Sequence, residues 1–268
     1  MQAVDVLVPT CDRMPALAIT LTTLAAQTLP SFRVLVSDQS ERYDVADAEE
    51  VRAVARLLRL HGHRVDITKH LPRRGMAEQR QFLLGEARAP YALFLDDDVL
   101  LEPGVIARML HAIREEQCGF VGCAVIGLSY LHDVRPDEQQ IELWEGPVRP
   151  ERVVPGSPQW RRHRLHNAAN LYHVQQRLGA SPERQRKYRV AWIGGCVLYD
   201  TAALRDCGGF EFWSELPREH CGEDVLAQLR VMARYGGCGL LPSGAYHLEL
   251  PTTIPDRRTD APKVLPCA

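Results

Sequence analysis

The chain has 268 residues, 46% of them hydrophobic and 25% charged, with 32 Lys and Arg against 34 Asp and Glu. This ordinary globular composition excludes disorder, collagen-like repeats and a coiled coil, and the length suits one large domain or two small ones. A net charge of −2 supplies no global attraction to nucleic acid, so no nucleic-acid partner is expected.

Residues 14–32 contain no charged side chain, yet they include Pro15, Pro30, Gln27 and four threonines. A spanning helix needs about 20 predominantly apolar residues, so a buried helix of a globular domain is predicted instead. The first residues, Met1-Gln2-Ala3-Val4-Asp5, place no cationic segment ahead of an apolar core. A cytoplasmic protein without a secretory leader is therefore expected. The eight cysteines are irregularly spaced and form no C-x-x-C pair. Reduced thiols are expected rather than structural zinc or disulfides.

Residues 4–9 (VDVLVP) form a short β-rich run, residues 15–27 read as a helix, and residues 32–37 (FRVLVS) as a second strand. Residues 46–60 show helical periodicity, with Val51, Val54, Ala55 and Leu58 on one face. A third strand is predicted at 64–68 and a third helix at 76–87. Residues 91–95 (YALFL) are continuously apolar, as in a parallel strand covered on both faces. A helix follows over 103–116, with proline in its first turn. This alternation predicts an α/β fold with a doubly wound, mostly parallel sheet.

After residues 119–126 the rhythm breaks. Residues 133–189 are polar and irregular, and 149–189 carry ten Lys and Arg against two acids, Glu151 and Glu183. A solvated insertion with a basic helix fits this pattern, as does a surface for an anionic acceptor or a peripheral contact with the inner membrane face. Order returns at 190–199. Residues 222–235 form an amphipathic helix with Val225, Leu226, Leu229 and Met232 inward, and 239–242 read as a last strand. The proline-rich tail after Pro251 is expected to be a loose terminus. No internal repeat is evident.

The chemistry concentrates at Phe94-Leu95-Asp96-Asp97-Asp98-Val99. Three carboxylates directly after a buried strand do not belong in a core, because charges rarely bury unpaired. They stand at the C-terminal end of a parallel strand, where open α/β sheets bind ligands. Carboxylates two residues apart suit a hard divalent cation that keeps water and phosphate as its other ligands. An acidic turn would leave the same pattern. Leu100 stands where a haloacid-dehalogenase phosphatase has Thr or Val, and neither a dinucleotide fingerprint nor a phosphate-binding P-loop is present. A second acidic pair, Glu223-Asp224, opens the helix at 222–235, where the helix dipole favours acids whether they cap or catalyse.

A series of motifs in order gives the chain a family resemblance. Pro9-Thr10-x-x-Arg13, Ser37-Asp38-Gln39-Ser40, and Gly75 followed by Arg80 resemble the nucleotide half of a family 2 glycosyltransferase of the GT-A, Rossmann-like fold. Asp96–Asp98 matches its D-x-D motif. Trp192-Ile193-Gly194-Gly195-Cys196 with Gly208-Gly209-Phe210, then Gly222-Glu223-Asp224, match its acceptor-side elements. Two positions depart from the family pattern: Ser37 stands where the family has Asp, and Gln39 where it has Gly.

The resemblance implies a single GT-A domain over 1–250, with a nucleotide-sugar part at 1–125, a variable insertion at 126–189, an acceptor part at 190–250 and a tail at 251–268. It implies a metal-dependent, inverting transfer from a UDP- or GDP-linked sugar to a glycan, lipid or small-molecule acceptor, with Mn²⁺ or Mg²⁺ as cofactor. Thr10, Arg13, Asp38, Arg80, Asp96 and Asp97 would bind the donor. Asp98, with Asp96 and His247, would hold the metal. Trp192, Gly194 and Gly195 would face the acceptor, and Asp224 would be the base, with Glu223 in reserve. A metal-dependent nucleotidyltransferase or phosphatase could use the same acids, and a non-catalytic sugar-nucleotide-binding module would need the donor residues alone.

Overall fold

The two most apolar runs of the sequence lie side by side at the centre of an eight-stranded sheet in the computed structural model, which describes residues 2–267. These are β1 (Val4–Thr10), buried along its whole length, and its parallel neighbour β4 (Tyr91–Leu95), reached through α1 (Met14–Ala25), β2 (Arg33–Asp38), α2 (Glu49–Leu60), β3 (Arg64–Lys69) and α3 (Met76–Glu86). Strands covered on both faces need no polar alternation, which explains their uninterrupted hydrophobicity. Then come β5 (Val99–Leu101), α4 (Val105–Glu116) and β6 (Phe120–Gly122). The second half holds α5 (Asn170–Arg177), β7 (Arg186–Tyr188), β8 (Cys196–Asp200), α6 (Thr201–Asp206), α7 (Glu223–Tyr235), β9 (Gly237–Leu241), β10 (Ala245–His247) and α8 (Ala261–Val264).

The strand order is β3-β2-β1-β4-β8-β6-β9-β7. Pairing is parallel from β3 to β4, whereas β8 runs antiparallel between β4 and β6 and β7 is antiparallel on the edge. The mostly parallel sheet expected from the sequence is therefore present, with two reversed strands. Side chains leave alternate faces of each strand. Val4, Val6 and Val8 pack with Leu17 and Leu21 of α1 and Leu58 of α2. Leu7 and Phe94 pack on the other face with Leu84 of α3 and Leu226 of α7.

Three segments differ from expectation. Residues 190–195 form a loop, and the strand there is confined to Cys196–Asp200. A small second sheet, unforeseen in the sequence, pairs β10 antiparallel with β5, setting His247 opposite Val99. The tail is docked rather than loose. Cys221 and residues 259–261 exchange backbone hydrogen bonds, the Cys221 N–H donating to Thr259 at 2.9 Å and the Ala261 N–H to Cys221 at 2.8 Å. Ala261 of α8 is fully buried, and Arg230 of α7 donates to the Pro266 carbonyl at 3.0 Å.

The basic insertion spends much of its charge internally. Arg162 pairs with Glu142 at 2.8 Å and Glu151 at 2.9 Å. Arg189 meets Glu151 at 3.2 Å and lies over the Trp144 ring at 3.7 Å, and Lys187 pairs with Glu116. Among the described residues no helix is long and apolar enough to cross a membrane, and all eight cysteines are free thiols.

Leu198 is fully buried in β8, the strand that joins the two halves of the sheet. Leu198→Ala should lower the unfolding free energy by about 2–5 kcal/mol, because a buried leucine leaves a cavity as well as lost transfer energy. Urea unfolding measures it; a change below about 1 kcal/mol would place β8 outside the core.

Candidate active site

Two adjoining clefts open beyond the C-terminal ends of β1, β2 and β4. One, of about 400 Å³, is lined by Thr10, Arg13, Arg73, Gln79 and Asp96–Asp98. The other, of about 550 Å³, is lined by Trp160, Trp192, Gly194, Gly195, Glu223 and Asp224. Met76, Asp96, His247 and tail residues Thr252, Ile254 and Arg257 border both. Asp96 thus stands at the junction.

Local chemistry explains how the first cleft is built. The Thr10 hydroxyl donates to Asp97 Oδ2 at 2.6 Å, joining the end of β1 to the acidic loop. The Thr20 hydroxyl of α1 donates to the Asp97 carbonyl at 2.8 Å. Gln79 of α3 donates to the Ser37 and Thr10 carbonyls at 2.7 and 3.2 Å, closing the ends of β1 and β2. Arg13 pairs with Asp98 Oδ2, lies 3.5 Å from Asp97 Oδ1, and donates to the Pro251 carbonyl. Burial foremost pushes the Asp97 carboxyl up to about 7; the Thr10 hydrogen bond opposes this and Asp98 beside it adds to it.

The second sheet brings His247 to this loop. The Leu248 N–H donates to the Asp98 carbonyl at 2.8 Å, and His247 Nε2 lies 3.5 Å from Asp98 Oδ2. His247 Nδ1 accepts the Glu249 N–H at 2.8 Å. In the neutral ring this leaves the proton on Nε2, facing Asp98. His247 thus borders both clefts beside Asp98. Asp98 Oδ2 is engaged by Arg13, while Oδ1 makes no hydrogen bond. Among the described residues no three His, Cys, Asp or Glu side chains are gathered into a metal cluster.

Asp38 and Arg80 both make internal ties. Asp38 is fully buried and lines neither cleft. Its carboxylate accepts the Ser40 N–H at 2.8 Å and the Val45 N–H at 3.1 Å, and it pairs with Lys69 at 2.9 Å, so it shapes the loop after β2. Arg80, buried on α3, donates from Nε to Glu223 Oε1 and from Nη2 to Asp96 Oδ1, both at 3.0 Å. Its fork joins two carboxylates at the wall of the second cleft. Burial would favour loss of its proton, but Asp96 and Glu223 reverse this and raise its pKa.

Helix α7 builds the second cleft. Gly222 precedes it with φ 75°, and a side chain there would meet Asp260 Oδ1 at 2.4 Å, so glycine lets the tail lie against the helix start. Glu223 is buried against Arg80, whereas Asp224 keeps a face open to the cleft. Burial first, then Glu223 beside it, raise the Asp224 carboxyl to about 7 against the opposing pull of Arg80; Asp96 adds to the rise. One turn on, the Gln228 amide accepts the Ile193 N–H at 2.8 Å and donates to its carbonyl at 2.7 Å. That paired contact pins the Trp192–Gly195 loop to α7. Gly195, at φ 79°, lets its carbonyl accept the Asp96 N–H at 2.9 Å.

Arg73, Trp160, Gln228 and Arg257 were missed in the sequence. Gln228 alone left a local signal, standing four residues after Asp224 on one helix face. Of the ten cations in 149–189, none lines the second cleft; only Trp160 of that segment does.

A mixed sheet with carboxylates at its strand ends, facing two adjoining clefts, is the GT-A arrangement of glycosyltransferases. The model for glycosyl transferase family 2 matches residues 5–174, and the chain belongs to that family. No curated protein matches the sequence. Among solved structures, S. aureus TarS 1–349 in complex with UDP-GlcNAc is similar, with a TM-score of 0.58 and 16% identity, covering 95% of this chain and 60% of that one. Mannosyltransferase PcManGT from Pyrobaculum calidifontis, in complex with GDP-Man and Mn²⁺, matches with a TM-score of 0.51 and 17% identity over 88% of this chain and 56% of that one. At these identities the likeness is one of fold, and the chain spans about 60% of their length or less.

Removing Arg80 would leave Glu223 buried and unpaired. Arg80→Met should therefore destabilise the fold by about 3–5 kcal/mol, and adding Glu223→Met should recover most of that loss. Chemical unfolding of the three proteins checks this; a single variant as stable as wild type would remove the bridge from the account.

Proposed function

We propose that the protein is a metal-dependent, inverting glycosyltransferase that moves a sugar from a nucleoside-diphosphate donor to an acceptor hydroxyl. The observation that carries this reading is the junction at Asp96, with a loop of carboxylates on one side and Asp224 on the other. The donor would lie in the cleft of Thr10, Arg13 and Asp96–Asp98. Fold neighbours bind UDP-GlcNAc and GDP-Man, so the fold favours neither base.

Asp224 is the proposed general base, since Glu223 is tied to Arg80. It takes the proton of the acceptor hydroxyl as that oxygen bonds to the anomeric carbon. The bond from that carbon to the diphosphate oxygen breaks on the opposite face, and the diphosphate leaves with the electron pair. The transition state has oxocarbenium character. Asp98, with its free Oδ1, and Asp96 at the junction fit a hard cation that takes phosphate oxygens as its other ligands. A bound Mn²⁺ or Mg²⁺ would neutralise charge developing on the leaving diphosphate. Arg13 must yield Asp98 Oδ2 if both oxygens are to serve.

Trp160 and Trp192 line the second cleft, which favours a glycan acceptor over an anionic one recruited by the basic insertion.

Asp224→Asn should keep donor binding but lose about 10²–10⁴ in transfer rate. With a base near 7, the wild-type rate should rise about tenfold per pH unit below that point and level off above it, because only the ionised form accepts a proton. Rates across pH 5–9, with UDP- and GDP-sugars screened first for binding, check both; near-wild-type turnover in the variant would displace Asp224. Asp98→Ala should make donor affinity insensitive to EDTA, read by calorimetry. Wild-type donor affinity that EDTA leaves unchanged would refute the metal.

A further inference from the structure

The first cleft has a charge problem that its donor-binding candidates do not solve. Asp96, Asp97, Asp98 and Glu219 all line it, and its expected cation, Arg13, is already paired with Asp98 and close to Asp97. A nucleoside diphosphate brings further negative charge into the same space. Three other guanidiniums line this cleft, Arg73, Arg218 and Arg257, of which Arg218 lies 4.0 Å from Glu41. Among the described residues neither Arg73 nor Arg257 forms an ion pair, and Arg257 meets only the Cys221 thiol, unlike Arg258, which is paired with Asp256. Arg258 lines neither cleft.

Arg257 also sits on a segment fixed at both ends. Upstream, the Glu249 carboxylate accepts from the Ser129 N–H at 3.2 Å and from its hydroxyl at 2.6 Å, and the Pro251 carbonyl accepts from Arg13. Downstream, Cys221 pairs with Thr259 and Ala261. Between these anchors, the hydrogen bonds of residues 252–258 run within the segment, apart from a 3.8 Å contact of the Cys221 thiol with the Arg257 carbonyl. The strap crosses both clefts with its middle only lightly tied. Arg13 links its upstream end to Asp98, the acid that would hold the cation.

Resting on the nucleotide-sugar reading above, we propose that Arg73 and Arg257 form a clamp for the donor diphosphate, with Arg257 carried onto it by the strap. Guanidinium is suited to this because its planar fork meets phosphate oxygens in pairs and stays charged. Arg73 supplies the fixed wall from the loop before α3, and Arg257 the movable one. Because Arg257 borders both clefts, diphosphate binding and closure over the acceptor side become one event.

The test is calorimetric titration of wild type, Arg73→Ala, Arg257→Ala and Arg258→Ala with UDP, GDP, UMP and GMP in the presence of Mn²⁺, with matched thermal midpoints as the check on folding. Each clamp variant should weaken the bound diphosphate roughly 10- to 100-fold, the loss expected for charge-assisted hydrogen bonds. The corresponding monophosphate should change much less, and Arg258→Ala should match wild type. Tryptic cleavage after Arg258 should slow on adding the diphosphate to wild type, but not to Arg257→Ala. Clamp variants that bind diphosphate like wild type, or lose mono- and diphosphate equally, would overturn the clamp. If wild type binds none of the four nucleotides, the donor reading itself fails and the clamp falls with it.

Discussion

The guanidinium of Arg80 lies between carboxylates that come from the two halves of the chain. It holds Asp96 at the end of β4 and Glu223 at the start of α7, 143 residues away from it in sequence. Glu223 could not be buried here without it, since an uncompensated charge in a packed interior costs several kcal/mol. The bridge therefore sets where the start of α7 sits relative to the acidic loop, and with it the spacing of the two clefts. It also divides the work of the neighbouring acids. Glu223 is spent on structure, which leaves Asp224 as the carboxylate that keeps an open face and a raised pKa.

Other cross-chain ties serve the same end. The Gln228 amide fastens the Trp192–Gly195 loop to α7, and the Asp96 N–H fastens that loop to β4. The β5–β10 pair delivers His247 to Asp98. The partners of the Gln228 contact are fully buried and have no water to fall back on, so that contact is worth more lost than made. The floor of the site is rigid in this sense. The strap above it, lightly tied between its anchors, is the part free to respond to a ligand.

The near-zero net charge is a sum of separated opposites. Acids collect at 96–98 and 223–224, and a basic excess at 149–189. Folding does not turn that excess toward the second cleft. Arg162, Lys187 and Arg189 are neutralised by Glu142, Glu116 and Glu151, which lie in or near the insertion or on α4. Two of the cations that line the first cleft, Arg73 and Arg257, form no ion pair among the described residues, and they come from a loop and a tail whose local sequence carried no such signal.

What the sequence determined by itself is what short-range physics writes into it. Strand and helix alternation through residue 116 was legible because periodicity and burial act within a few residues, and the acidic loop stood out because three charges after YALFL cannot enter a core. Resemblance to family 2 glycosyltransferases followed from motifs of the same local kind. The reversed strands, the second sheet, the docked tail, the burial of Asp38 and the turning of Arg80 toward Glu223 were decided only by tertiary structure. Each depends on partners tens to more than a hundred residues apart, and no local preference encodes which distant group will satisfy a given charge or amide. The sequence named the acids, and long-range pairing chose which of them face the cleft.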